Sequence, residues 1–199
     1  MKKQRTKTII TTVVLLLALS QGPFLFYYTH GFFKLIFLPL IGIVGLGLTV
    51  YLFLGVWRHH STNTIYHITG LILAFVIGFF TIRTDTLEYL DWKLRQADRD
   101  KIVEEVKEGV LVPDDNGTYH LASNTLLPIS NGGNDIVINE SENGATSVEF
   151  YIDRGVVDHY SALLYTDDKN EIAGLDRAIA AGSNRAFKKF SDNWYRVGY

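Results

Sequence analysis

The densest run of chemically capable side chains is Asp153-Arg154-Gly155-Val156-Val157-Asp158-His159-Tyr160-Ser161. Asp158, His159 and Ser161 are the ingredients of a hydrolase triad, in which a carboxylate orients an imidazole that takes the serine proton. Their adjacency argues against that use. Neighbours on a strand point to opposite faces, and triads are assembled from distant segments. No Gly-x-Ser-x-Gly turn presents Ser161 as a nucleophile. The run reads instead as a loop between two strands, with Arg154 pairing Asp153 or Asp158 and Gly155 turning the chain. An enzyme is not expected, and a hydrolase centred on Asp158 and His159 is the lesser alternative.

Other chemistries have fewer supports. His120, His159 and nearby aspartates supply metal-ligand types without diagnostic spacing. Asp114-Asp115 and Asp167-Asp168 lack the alternating Asp/Asn/Gly pattern of a calcium loop and read as solvated turns. His59, His60 and His67 have no acidic residue near them in the first 84 positions and read as interfacial. The chain has no cysteine, which excludes disulfides, thiolate metal sites and cysteine nucleophiles. Phosphate-binding and dinucleotide fingerprints are also absent. No metal and no cofactor are expected.

The aromatic residues point elsewhere. Phe150, Tyr151, Tyr160, Tyr165, Phe187, Phe190, Trp194, Tyr195 and Tyr199 crowd the last third of the chain. Many must be core. Those on an outer sheet face would form the tyrosine- and tryptophan-rich surface that protein interfaces use. The candidate binding residues are therefore Asp153, Arg154, Asp158, His159, Tyr160, Tyr151, Tyr165 and Trp194.

Charge divides the elements that must position these residues. Residues 1–84 carry seven Lys and Arg and no Asp or Glu; residues 85–199 carry the other twelve against all 21 Asp and Glu, a net of −9. So acidic a half should repel nucleic acid and favour a cationic or neutral partner, such as a basic protein.

The first half is apolar. Residues 9–28 form an uncharged run of a length that spans the ~30 Å of bilayer hydrocarbon. It is read as an anchor kinked near Gly22-Pro23, with a cleavable signal peptide ending near Ala18-Leu19-Ser20 as the alternative. Residues 32–57 and 65–82 are expected as second and third spans, Pro39 bending the second. Gly42, Gly45, Gly47 and Gly55 offer places for close helix contact without forming a GxxxG pair. Basic residues cluster at the N-terminus and at Arg58, so the positive-inside rule makes both cytoplasmic. Three crossings of the cell membrane then leave residues 85–199 extracytoplasmic.

Asp85-Thr86-Leu87-Glu88 has the form of a helix capping box. Leu87, Leu90, Leu94, Ala97, Ile102 and Val106 follow as an expected buried stripe, opposite Lys93, Arg95, Asp98, Arg99, Asp100, Glu104, Glu105 and Lys107. Gly109 is the expected C-terminal cap. Strands are expected at 110–112, 118–122, 135–139, 146–153, 160–166 and 194–197, with a hairpin turn at Asn143-Gly144 and a short helix near 175–181. The fold class is thus three membrane helices followed by an α+β domain, a long helix with an antiparallel β-meander.

Ser130-Asn131-Gly132-Gly133, the run Glu149–Ser161 and Trp194-Tyr195 resemble a pattern found in small uncharacterised bacterial multi-pass membrane proteins with a C-terminal extracytoplasmic α+β domain. The resemblance covers about a third of the chain. It implies a bacterial origin and a discrete outer domain, and brings no activity. The expectation is a membrane-anchored module that binds another protein, as an accessory subunit of a membrane complex or an immunity-type protein. A ligand sensor signalling through the third span is the alternative.

Overall fold

The computed structural model describes residues 2–57, 68–70, 72–74, 76, 84–122, 126–154, 160–182 and 186–199. The chain divides into two compact units, Met1–Phe26 with Phe33–Leu90, and Tyr27–Phe32 with Asp91–Tyr199.

The first unit is built from two apolar helices, α1 (Lys2–Tyr27) and α2 (Gly31–Trp57). Within them Thr8–Tyr27 and Gly31–Tyr51, 20 and 21 residues, are long and apolar enough to cross a membrane. Pro23 and Pro39 lie inside the helices without ending them. Residues 68–70, 72–74 and 76 are also helical, and the rest of the expected third span lies outside the described residues. Val14 of α1 and Ala74 form a small core with Ile10, Leu15 and Ala18 around it. Among the described glycines of this unit, Gly70 permits close approach, since a Cβ there would lie 2.7 Å from the Thr11 methyl; nothing lies within 4 Å of such an atom at Gly42, Gly45 or Gly47.

The second unit is a mixed α/antiparallel β domain. Helix α3 (Thr84–Lys107) leads into strands β1 (Thr118–His120), β2 (Asp135–Glu140), β3 (Thr146–Arg154) and β4 (Tyr160–Thr166), then α4 (Lys169–Ala180), β5 (Lys188–Lys189) and β6 (Trp194–Gly198). The six strands form one sheet in the order β1-β2-β3-β4-β6-β5. Strands β1 to β4 pair in chain order, but β6 rather than β5 follows β4, so the sequence of hairpins is broken there. Residues 110–112, expected as a strand, are not one. Val110 and Leu111 instead donate their amides to the carbonyl of Glu105 in a helix C-terminal motif, and Gly109 sits at φ +71° as that motif requires.

Helices cover both sheet faces. On one, Trp92 of α3 packs on Trp194 with ring centroids 5.3 Å apart, Trp194 packs on Phe150 at 5.7 Å, and the Trp194 indole donates to Asp100 at 2.8 Å. On the other, Ile172, Leu175 and Ile179 of α4 pack on Ala162, Leu164, Tyr195 and Val197. Asp168 caps α4 by accepting from the Asn170 amide, and Asp114 accepts from the amides of Asn116 and Thr118 at 2.9 Å. Both acidic turns thus use a carboxylate to satisfy backbone donors.

The buried face of α3 follows the expected stripe only in part: Val106 is buried and Leu87 and Ile102 are half-buried, but Ala97 is exposed. Leu90 and Leu94 are 48% and 79% exposed, whereas Asp91 and Arg99 are buried at 3% and 2%. The reason is electrostatic pairing. Arg99 bonds the Asp91 carboxylate and the Ile129 carbonyl, and Arg95 reaches Asp91 and the carbonyls of Leu127 and Pro128. Tyr27 donates its hydroxyl to the same carboxylate, and its carbonyl accepts from the Gly132 amide at 3.2 Å. The pair takes places on a core face that apolar side chains would otherwise fill, with the Arg99 Nε left without a partner among the described residues. Asp85, expected as the N-cap, already lies within the helix.

Candidate functional site

Alternation along paired strands brings a set of polar and aromatic side chains to the α4 face of the sheet. The register sets Glu149 opposite Leu164, Tyr151 opposite Ala162 and Arg154 opposite Tyr160, with a bulge between Tyr151 and Asp153. Val197 of β6 pairs with Ala162, and the Tyr199 amide donates to the Tyr160 carbonyl at 2.9 Å. With a two-residue period, Glu149, Tyr151, Tyr160 and Tyr199 share this face. A bulge re-aims the strand that contains it, and here Arg154 lies over its own neighbour.

The result is a stacked row. The Arg154 guanidinium sits 3.9 Å from the Tyr151 ring centre. Tyr151 meets Tyr160 edge-on at 5.4 Å, and Tyr160 meets Tyr199 at 4.8 Å with planes tilted by 34°. Cation–π and aromatic contacts of these geometries each contribute about 0.5–1.5 kcal/mol. Arg154 also bonds Asp135 at 3.0 Å, and Asp135 bonds His120 Nδ1 at 2.8 Å. Burial pushes the Asp135 carboxyl up, but the bonds from His120 and Arg154 outweigh it and hold it below the usual aspartate range.

Glu149 lies beside this row and is only 8% exposed. Tyr160 is hydrogen-bonded to it, while its Oε2 has no partner among the described residues. Burial raises the Glu149 carboxyl above its ordinary value and the nearby Glu171 charge adds to this, against the bond from Tyr160. The same negative field acts on the tyrosines. Burial first, then Glu149 and Glu171, push the Tyr199 phenol up to about 12. Glu171 is held in place by Ser147, whose hydroxyl donates to it at 2.7 Å. An electronegative, aromatic site of this kind suits a cation.

Of the expected binding residues, Arg154, Tyr151 and Tyr160 come together here, and Asp153 is half-buried beside them on β3. Asp158 and His159 lie outside the described residues. Arg154 pairs with Asp135; of its expected partners, Asp158 lies outside the described residues. Tyr165 and Trp194 are on the opposite face, Trp194 fully inside the core and Tyr165 against it at 5.4 Å, with its hydroxyl accepting from Lys107 at 2.7 Å. Glu149, Glu171 and Asp135 were not singled out from the sequence. The alternation of β3 places Glu149 on the Tyr151 face, but only the position of α4 brings Glu171 to it. Among the described residues no group of three His, Cys, Asp or Glu could hold a metal ion.

No protein-family model, curated protein or solved structure matches this chain.

Proposed function

We propose that this chain is a membrane-anchored module that binds a basic protein at the outer surface of a bacterial cell membrane, as an accessory subunit or an immunity-type protein. The observation that carries the reading is the row Arg154–Tyr151–Tyr160–Tyr199 on a sheet face of a half-chain with net charge −9. Tyrosine and arginine are the side chains that dominate protein interfaces, and an acidic surface steers a basic partner to it. The membrane part of the reading rests on the apolar lengths of α1 and α2 and on the outward apolar side chains of α2, where Ile43 and Leu46 are 70% and 63% exposed. Such a surface is unfavourable in water and ordinary in lipid. The reading of three spans rests on the apolar runs 9–28, 32–57 and 65–82, and the cytoplasmic N-terminus on the positive-inside pattern.

A photo-crosslinking residue at Tyr199, in intact cells that make the full chain, tests the reading. One stoichiometric protein should be captured from position 199 and not from Lys188 on β5. Capture should fall when Arg154 and Tyr160 are both replaced by Ala. Equal capture from both positions, or capture unaffected by the double variant, would count against it.

One observation favours a second reading, a ligand sensor. Asn131 donates to the Tyr151 and Ile152 carbonyls, and the neighbouring Ile129 carbonyl accepts from Arg99, which holds Asp91 and thus Tyr27. Within the second unit the tyrosine row is therefore linked, through residues 129–131, Arg99 and Asp91, to Tyr27. A thermal shift of the full chain against a metabolite panel, with no protein captured at Tyr199, would favour the sensor.

A further inference from the structure

We propose that the cavity between the end of α3 and the β2–β3 hairpin binds a small organic ammonium compound with an apolar body. It lies apart from the tyrosine row, which faces α4, and the protein-binding reading above makes no use of it.

The cavity follows from the way α3 ends. The Val110 and Leu111 amides bond the Glu105 carbonyl, which turns the chain at Gly109 and carries residues 111–113 past the sheet instead of into it. Facing that segment is the hairpin of β2 and β3, with Gly144 in its turn. Gly109 and Gly144 both line the space without a side chain, and nothing lies within 4 Å of a Cβ at either. The space stays open and measures about 520 Å³. That is the size of a pocket for one small molecule.

The lining sets the chemistry. Val106, Leu111 and Ile138 give it an apolar floor, and Val112, 69% exposed, leaves one side open to solvent. Of the charged lining residues, Lys107 and Asp167 pair with each other at 2.8 Å and largely cancel. The Thr146 amide holds the Asp167 carboxylate in place at 2.7 Å. Glu140 is exposed and has no ion-pair partner among the described residues. The C-terminus of α3 adds its partial negative charge at Lys107. One uncompensated negative charge therefore stands over an apolar floor. A ligand with an apolar body removes that floor from water, and an ammonium on it supplies donors to Glu140 and to the spare lone pairs of Asp167.

Other ligands fit less well. An anion would meet Glu140 and the negative end of the helix. A divalent ion takes six or more oxygen ligands, whereas the cavity offers two carboxylates, one of them already paired with Lys107. A protein partner requires a broad contact of about 800 Å² on each side, and this is a single recess.

The test uses the full chain in lipid nanodiscs, with p-fluorophenethylammonium as the probe and fluorine NMR as the readout. Empty nanodiscs report its partition into lipid. The probe should bind above that blank, and p-fluorophenethyl alcohol and p-fluorophenylacetate, which share its body but not its charge, should not. Glu140→Gln should weaken binding by about five-fold, the scale of an ion pair at a partly exposed site. Glu142→Gln removes the same charge from the adjacent turn, outside the cavity, and should leave affinity unchanged. Val112→Arg, at an exposed position where folding tolerates change, should abolish binding by filling the recess with a like charge. Equal binding of the alcohol, equal losses in the Glu140 and Glu142 variants, full affinity in Val112→Arg, or no binding at millimolar probe would each overturn the proposal. Tighter binding of N-acetyl-Leu-Lys-amide than of the probe would overturn the assignment to a small molecule and give the cavity to a lysine of another protein.

Discussion

The hydroxyl of Tyr27 donates to Oδ1 of Asp91 at 2.9 Å, across 64 residues of sequence. The turn between α1 and α2 belongs to the same compact unit as the sheet, with Tyr27–Phe32 grouped with Asp91–Tyr199. The carboxylate at the centre is shared by Tyr27, Arg95 and Arg99. Burial draws the Arg99 guanidinium down from its ordinary value, and its contact with Asp91 opposes this.

Removing one partner of such a pair strands the other. Asp91→Leu and Arg99→Met are each expected to cost about 3–5 kcal/mol. Denaturant unfolding of the full chain should show both losses, with the double variant losing clearly less than their sum. Additive losses would mean that the two side chains do not act as a pair.

Gly132 holds φ +75°, and a Cβ there would lie 3.1 Å from the His30 side chain. Gly132→Ala is expected to destabilise by about 1–2 kcal/mol through left-handed strain, with a further steric part. His30→Ala should relieve only the part of the clash that comes from the ring, because the His30 Cβ also lies at 3.1 Å and alanine keeps it. A neutral Gly132→Ala would show that the turn readily adopts another conformation.

Glu149 has a carboxyl raised in the folded chain, mainly by burial. The folded state therefore binds its proton more tightly than the unfolded state does. This stabilisation is fully present below the unfolded glutamate value, and it is lost as pH rises through the higher folded value. Glu149→Gln should flatten that part of the stability–pH curve and melt higher than the parent at neutral pH. A parent curve with no decline above the ordinary glutamate range would refute the assignment.

The chain has no cysteine, so single cysteines report topology directly. Asp98→Cys, on the exposed side of α3, should react with a membrane-impermeant maleimide in intact cells. Thr6→Cys should react only after lysis. The opposite pattern would invert the proposed orientation, and labelling of both in intact cells would remove the membrane crossing between them.

Much of the fold was readable because it depends on local pattern. The alternation in Val148, Phe150 and Ile152 marked β3, and Asn143-Gly144 marked the hairpin, where Gly144 adopts φ +78°. Gly109 marked the end of α3 for the same conformational reason. The leucine stripe of α3 misled because periodicity scores apolar residues and cannot see that Arg99 finds Asp91. Leu94, at the centre of that stripe, is on the surface. The candidate site divided along the same line. Tyr151, Arg154 and Tyr160 stood out by type, whereas Glu149 looked like any polar residue on the wetter face of a strand.

By itself the sequence determined the split between an apolar basic half and an acidic half, the β-rich character of the second, and the turns that require glycine or a capping carboxylate. These follow from composition and from interactions within a few residues. Tertiary structure alone decided that β6 inserts beside β4, that Trp194 is core while Tyr160 faces α4, and that Glu171 reaches Ser147 on the face that carries Glu149. Each of these depends on pairs far apart in the chain, whose energies are set by burial and by the partner each group finds on packing.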